Sequence, residues 1–202
     1  MKAVENRPGN NLAFTGGISA IVVYLVGAVV SWWFYPRPFT PLRNWLSDLG
    51  NHRRNPEGAM FYNIGCVLTA LALLAFVLGL SRWRSANLKG NTLIASSQLT
   101  GFASVISLAG LGVYSEDRMH QHMVYSNWFF ASFPVFIVLL SSGIISHPLR
   151  KRVGALGFAV VLLGLAFHIG FPRSRPLEWA TELGFLVYVG LLAYSSRSYH
   201  AH

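Results

Sequence analysis

The chain has 202 residues, of which 53% are hydrophobic and only 11% charged, and it carries a formal net charge of +9. Soluble domains average about 25% charged residues, so a water-soluble body is excluded. The Lys and Arg residues punctuate the ends of apolar runs, which is the pattern of membrane topology rather than of a nucleic-acid surface. The single Cys66 excludes an internal disulfide.

A helix crosses hydrocarbon with about 20 apolar residues. Six stretches qualify: 12–34, 59–80, 93–114, 123–145, 153–171 and 177–194. Lipid offers no partner for free backbone groups, so these must be helices. The reading is an all-α integral membrane protein, a six-helix transmembrane bundle formed as a single domain over 1–202. The first stretch follows Lys2 and Arg7, as a signal peptide would. Its apolar run is about twice the usual 7–15 residues of such a segment, so it reads as a retained span.

The connections are unequal. After the first span comes the long loop "YPRPFTPLRNWLSDLGNHRRNPEG". Thr40 is a good N-cap, Pro41 suits a first helical position, and Gly50 can end a helix in a left-handed conformation. A short helix over 41–49 is expected, with Leu42, Trp45, Leu46 and Leu49 on one face, lying at the membrane interface. The second connection, "SRWRSANLKGNT", is short and basic. The third, "SEDRMHQH", is densely titratable. The fourth, "SHPLRKR", is again basic. In the fifth, "FPRSRPLEWATE", Ser174 can cap and Pro176 can open the last helix. Lys and Arg number nine on the side of the N-terminus and seven on the other, while six of the seven acids lie on that other side. The positive-inside rule then places both termini in the cytoplasm and the polar loops outside, in a plasma or cytoplasmic membrane.

Four of the seven histidines, His52, His120, His122 and His168, fall on the outer side. His168 and Glu182 lie inside spans, where ionisable groups are costly and point to function or to a partner. The fifth and sixth spans are joined by a short connection, so these two side chains can meet. Asp48 adds a carboxylate from the first outer loop. Asp48, His120, His122, His168 and Glu182 are therefore the candidate catalytic set.

Three chemistries fit this set. A divalent metal such as zinc wants three or four His or carboxylate ligands, and His120, His122 and His168 are the candidate ligands, although no compact zinc spacing is present. A metal-free acyl-transfer site would pair Ser47 or Ser126 with a histidine. A headgroup pocket would use Arg43, Arg53 and Arg173 to hold phosphate, arginine being suited to bidentate contacts. The plain alternative is solvated loops with two interhelical polar pairs.

The stretches "FTPLRNWLSDLG", "NPEGAMFYNIG" and Gly112-Val113-Tyr114 followed by His120 resemble an uncharacterised six-span membrane family, domain of unknown function nine-nine-eight. That family looks distantly similar to the Frag, DRAM and Sfk type of membrane proteins. The resemblance implies a connection with lipids, and it marks Asp48 and His120 as family-level polar residues. Leu46 stands where the family commonly has Ile. Together these readings lead to a protein that recognises or acts on lipid headgroups at the outer leaflet, as a lipid hydrolase or transferase if it is an enzyme. Membrane lipids are its expected partners, and nucleic acid is not. The alternative is a non-enzymatic lipid-handling or accessory protein whose polar cluster is structural.

Overall fold

The computed structural model describes residues 10–84, 87–146, 150–171 and 174–197. Six long helices account for most of them: α1 (Asn10–Trp33), α2 (Ala59–Gly79), α3 (Leu88–Val113), α4 (Met119–Ile144), α5 (Lys151–Gly170) and α6 (Arg175–Arg197). Each is long and apolar enough to cross a membrane. Among the described residues there is no strand. The chain is a multi-pass integral membrane protein, as its apolar runs predict.

The helices form a ring in chain order, each packing on the next, with α6 returning to α1. In lipid, close packing and interhelical hydrogen bonds hold helices together, because the solvent is as apolar as the side chains. Both devices are present. Gly27 of α1 faces Gly65 of α2 so closely that a Cβ on Gly27 would lie 3.1 Å from the Gly65 Cα. Hydroxyl pairs staple two further helix contacts. Ser104 Oγ and Ser132 Oγ share a hydrogen bond at 2.8 Å between α3 and α4. Ser141 Oγ and Tyr188 OH share one at 2.7 Å between α4 and α6.

The middle of the ring is filled by aromatic side chains. Phe133 lies 4.7 Å from Phe185 and 5.4 Å from Phe136, ring to ring, and Phe136 reaches Phe76 edge-on at 6.4 Å. Phe76, Phe136 and Tyr188 are fully buried. This layer separates the two ends of the bundle. At the end carrying the basic connections, Arg84 Nη2 donates to Gln98 Oε1 at 2.7 Å, and Gln98 Nε2 donates to the Val77 carbonyl at 2.8 Å. The other end carries the acids.

The first long loop differs from its expectation. One turn forms over 40–44, where the Arg43 and Asn44 N–H groups donate to the Thr40 carbonyl. The helix starts only at Leu46 and is a single 3-10 turn, Leu46–Gly50. It lies in the mouth of the bundle with Leu46, Asp48 and Leu49 buried, not flat on the membrane surface. Side chains compete with the backbone here. Asn44 Oδ1 accepts from the Thr40 N–H at 3.1 Å, and Asp48 Oδ2 accepts from the Trp45 N–H at 3.1 Å. The glycine at position 50 is needed for close approach, not for a left-handed turn. A Cβ there would lie 3.0 Å from the Tyr62 ring.

Candidate functional site

Asp48 anchors the loop. It is 2% exposed, and a buried carboxylate must be paired or hydrogen-bonded. The Arg54 guanidinium pairs with its Oδ1. Its Oδ2 accepts from the Trp45 N–H and, at 3.5 Å, from Asn44 Nδ2. Arg54 Nη1 also lies 3.8 Å from Glu116 Oε2, and Asn51 Nδ2 donates to the same oxygen at 2.8 Å. The long loop after α1 and the short loop before α4 are thereby joined. Partial burial, followed by the nearby Asp48 carboxylate, pushes the Tyr35 phenol above its usual range.

A second cluster fixes the loop to α1. Asn55 is fully buried and donates through Nδ2 to the Ser31 carbonyl at 3.1 Å and the Leu49 carbonyl at 3.0 Å. Its Oδ1 accepts from the Gly58 N–H at 3.2 Å. From α6, Glu178 Oε2 accepts from the Leu46 N–H at 3.0 Å, and Trp179 Nε1 donates to the Asn44 carbonyl at 3.1 Å.

Beneath this lid lies a cavity of about 30 Å³, room for one or two waters. Its acidic wall is Glu116, Glu178 and Glu182. Glu178 and Glu182 are one turn apart on the same face of α6. Tyr24, Tyr62 and Cys66 line the side formed by α1 and α2, and His122 and Ser126 line the α4 side. The two tyrosines share a hydrogen bond at 3.1 Å between their hydroxyls. His122, 9% exposed, is held through Nδ1 to the Tyr114 carbonyl at 3.1 Å. A carbonyl can only accept, so Nδ1 carries the proton, and in the neutral ring Nε2 is then the acceptor. Glu182 has no hydrogen-bond or ion-pair partner among the described residues.

A larger groove of about 360 Å³ opens on the outside of the bundle between α2 and α3. Its wall is apolar and exposed: Met60, Ile64, Leu68 and Val113. Its rim toward the loops is polar, with His52, Asp117 and Arg118. The Arg118 guanidinium lies 5.9 Å from the Tyr114 ring centroid. Asn63 and Ser115 line both the groove and the cavity, so the two spaces are separated by these side chains. Asn63 Nδ2 donates to the Gly50 carbonyl at 3.0 Å and lies 3.4 Å from His52 Nε2.

The residues expected as one catalytic set are therefore divided. His122 and Glu182 line one cavity. Asp48 lies in the loop network with Arg54. His120 and His168 are exposed on α4 and α5, so His168 does not share the cavity with Glu182. Positions two apart differ by about 200° around a helix, which turns His120 outward when His122 points inward. The expected zinc set of His120, His122 and His168 is accordingly not assembled. Among the described residues, no three His, Cys, Asp or Glu side chains are placed to hold a metal ion. Of the expected phosphate-binding arginines, Arg43 and Arg53 are exposed and Arg173 lies outside the described residues. The Arg53 N–H donates to Asn51 Oδ1 at 2.9 Å. Sequence reasoning did not single out Arg54 from Arg53 beside it. Nor did it place Glu116 and Glu178 in the site, although both were visible as acids in an apolar setting.

No curated protein and no solved structure matches the chain. A family model described as "Protein of unknown function (DUF998)" matches residues 18–195, from within α1 into the last turn of α6, and the chain belongs to that family.

Proposed function

We propose that this chain binds a phospholipid by its headgroup at the acid-rich end of the bundle, facing the outer leaflet. The observation that carries this reading is the groove between α2 and α3. Its wall is apolar at Ile64, Leu68 and Val113, and its rim is polar at His52, Asp117 and Arg118. An amphiphile matches that division, with an acyl chain along the wall and a phosphate beside Arg118. The six spans already put lipid against this surface. The asymmetry of Lys and Arg between the two ends supports the outer leaflet.

The test is a phosphatidylcholine analogue with a photoreactive group in its acyl chain, offered to the purified full-length protein in nanodiscs. Crosslinks are expected to concentrate on Met60, Ile64, Leu68 and Val113. Labelling spread equally over the exposed Leu162 and Leu163 of α5 would overturn the reading.

Hydrolysis or transfer on the lipid is the second reading, supported by one arrangement. His122 is oriented through Nδ1, and Ser126 follows it one turn later on α4, lining the same cavity. A base and a nucleophile on one helix face is the pairing such chemistry would draw on. Release of labelled fatty acid by wild-type protein, lost in Ser126→Ala, would favour it over binding alone.

A further inference from the structure

We infer that the cavity behind Asn63 and Ser115 is a receptor for a primary ammonium group, a refinement that rests on the lipid-binding reading of the groove. Charge comes first. Three carboxylates, Glu116, Glu178 and Glu182, line a space of about 30 Å³ inside a chain of net charge +9. Among the described residues the one cation within ion-pair distance of any of them is Arg54, 3.8 Å from Glu116. Glu178 accepts a backbone N–H, and Glu182 has no described partner.

The second observation is independent of the acids. His122 is nine-tenths buried, its Nδ1 proton is used by the Tyr114 carbonyl, and its Nε2 lone pair is left without a described partner on the cavity side. In the neutral ring this nitrogen is an acceptor that opens on the cavity, and a donor there would satisfy it. An ammonium group supplies three N–H donors and one positive charge. Its donors can be shared among the Glu182 carboxylate, His122 Nε2 and the Ser126 hydroxyl. The donor set does not converge as metal ligands would. The volume sets the selectivity: a space for one or two waters admits –NH3+ and rejects a trimethylammonium. Asn63 and Ser115, which line both spaces, place the cavity next to the polar rim of the groove. An amphiphile with its chain on Ile64 and Leu68 can therefore present an amine here.

The test uses full-length protein in phosphatidylcholine nanodiscs doped with either phosphatidylethanolamine or phosphatidylglycerol, with the thermal midpoint as readout. The ethanolamine lipid is expected to raise the midpoint of the wild type, and the glycerol lipid is not. Glu182→Gln is expected to weaken the ethanolamine response about tenfold, the order of one charge-assisted hydrogen bond. Ser126→Val, which fills the cavity and leaves every charge in place, should lose the response as well and serves if Glu182→Gln folds poorly. Free ethanolamine forms a separate arm. A rise in midpoint that needs the lipid assigns the amine to a headgroup, and an equal rise with free ethanolamine assigns the same site to a soluble amine. Equal midpoints in all three lipid compositions, or variants responding like the wild type, would overturn the proposal. Groove crosslinking by the phosphatidylcholine probe does not depend on an amine. Crosslinks at Ile64 without any ethanolamine preference would therefore sink the cavity receptor and leave the groove reading standing.

Discussion

Asp48 and Glu182 are both carboxylates in the acid-rich end of the bundle, and the chain treats them in opposite ways. Asp48 receives a guanidinium, a backbone N–H and a side-chain amide. Glu182 receives nothing from any described residue and faces a cavity. A fully satisfied buried carboxylate rigidifies what surrounds it. A half-buried one without a protein partner inside a span costs stability and points to function or to a partner. The loop network around Asp48 therefore reads as architecture, and the cavity around Glu182 as the place where the proposed ammonium group would find its partner.

Substitutions should follow that division. Asp48→Ala is expected to have the largest effect, because it strands the Trp45 N–H and leaves Arg54 beside Glu116 alone. Losing a buried charged partner costs about 2–4 kcal/mol, which corresponds to a midpoint roughly 5–10 °C lower for a chain of this size. Thermal unfolding of the purified protein measures it, and a midpoint unchanged from wild type would remove the architectural role. Tyr24→Phe falls between the two extremes. It removes one interhelical hydroxyl contact with Tyr62, and such contacts average about 0.6 kcal/mol in membrane bundles. A drop of one or two degrees, about the size implied by that energy, is the outcome to look for. Glu182→Gln should have the smallest effect on stability. In phosphatidylcholine its midpoint is expected to equal or exceed that of wild type, because a neutral amide relieves an unpaired carboxylate. A loss as large as that of Asp48→Ala would mean that Glu182 holds the fold and that the contrast is false.

The spans were legible in the sequence because length and apolarity suffice to define them. The helix ends were less so. α3 begins at Leu88, five residues before the apolar run, because Asn87 caps it by accepting the Lys89 N–H at 3.1 Å. α4 begins at Met119, before its apolar run, because polar residues are tolerated in the mouth of the bundle. The 41–49 helix failed for a different reason: Asp48 spends its side chain on the Trp45 N–H, which a helix from Pro41 would bond to the Pro41 carbonyl. Pairing was illegible in principle. Nothing in "NHRRNPEG" distinguishes Arg54, which reaches Asp48, from Arg53 beside it. Likewise, the Glu178 contact with Leu46 spans 132 positions and exists only once α6 has docked. The division of His120 from His122 was readable from helical geometry alone, once α4 was known to begin at Met119.

The aromatic layer of Phe76, Phe133, Phe136 and Phe185 carries a consequence for traffic. Its rings pack on one another, and Gly27 packs closely on Gly65 in the seam between α1 and α2. On the proposed reading, an amine that passes Asn63 and Ser115 has these packed rings ahead of it. On that reading the amine leaves by the door it entered, and the occupancy of the site follows the composition of the single leaflet that the groove faces.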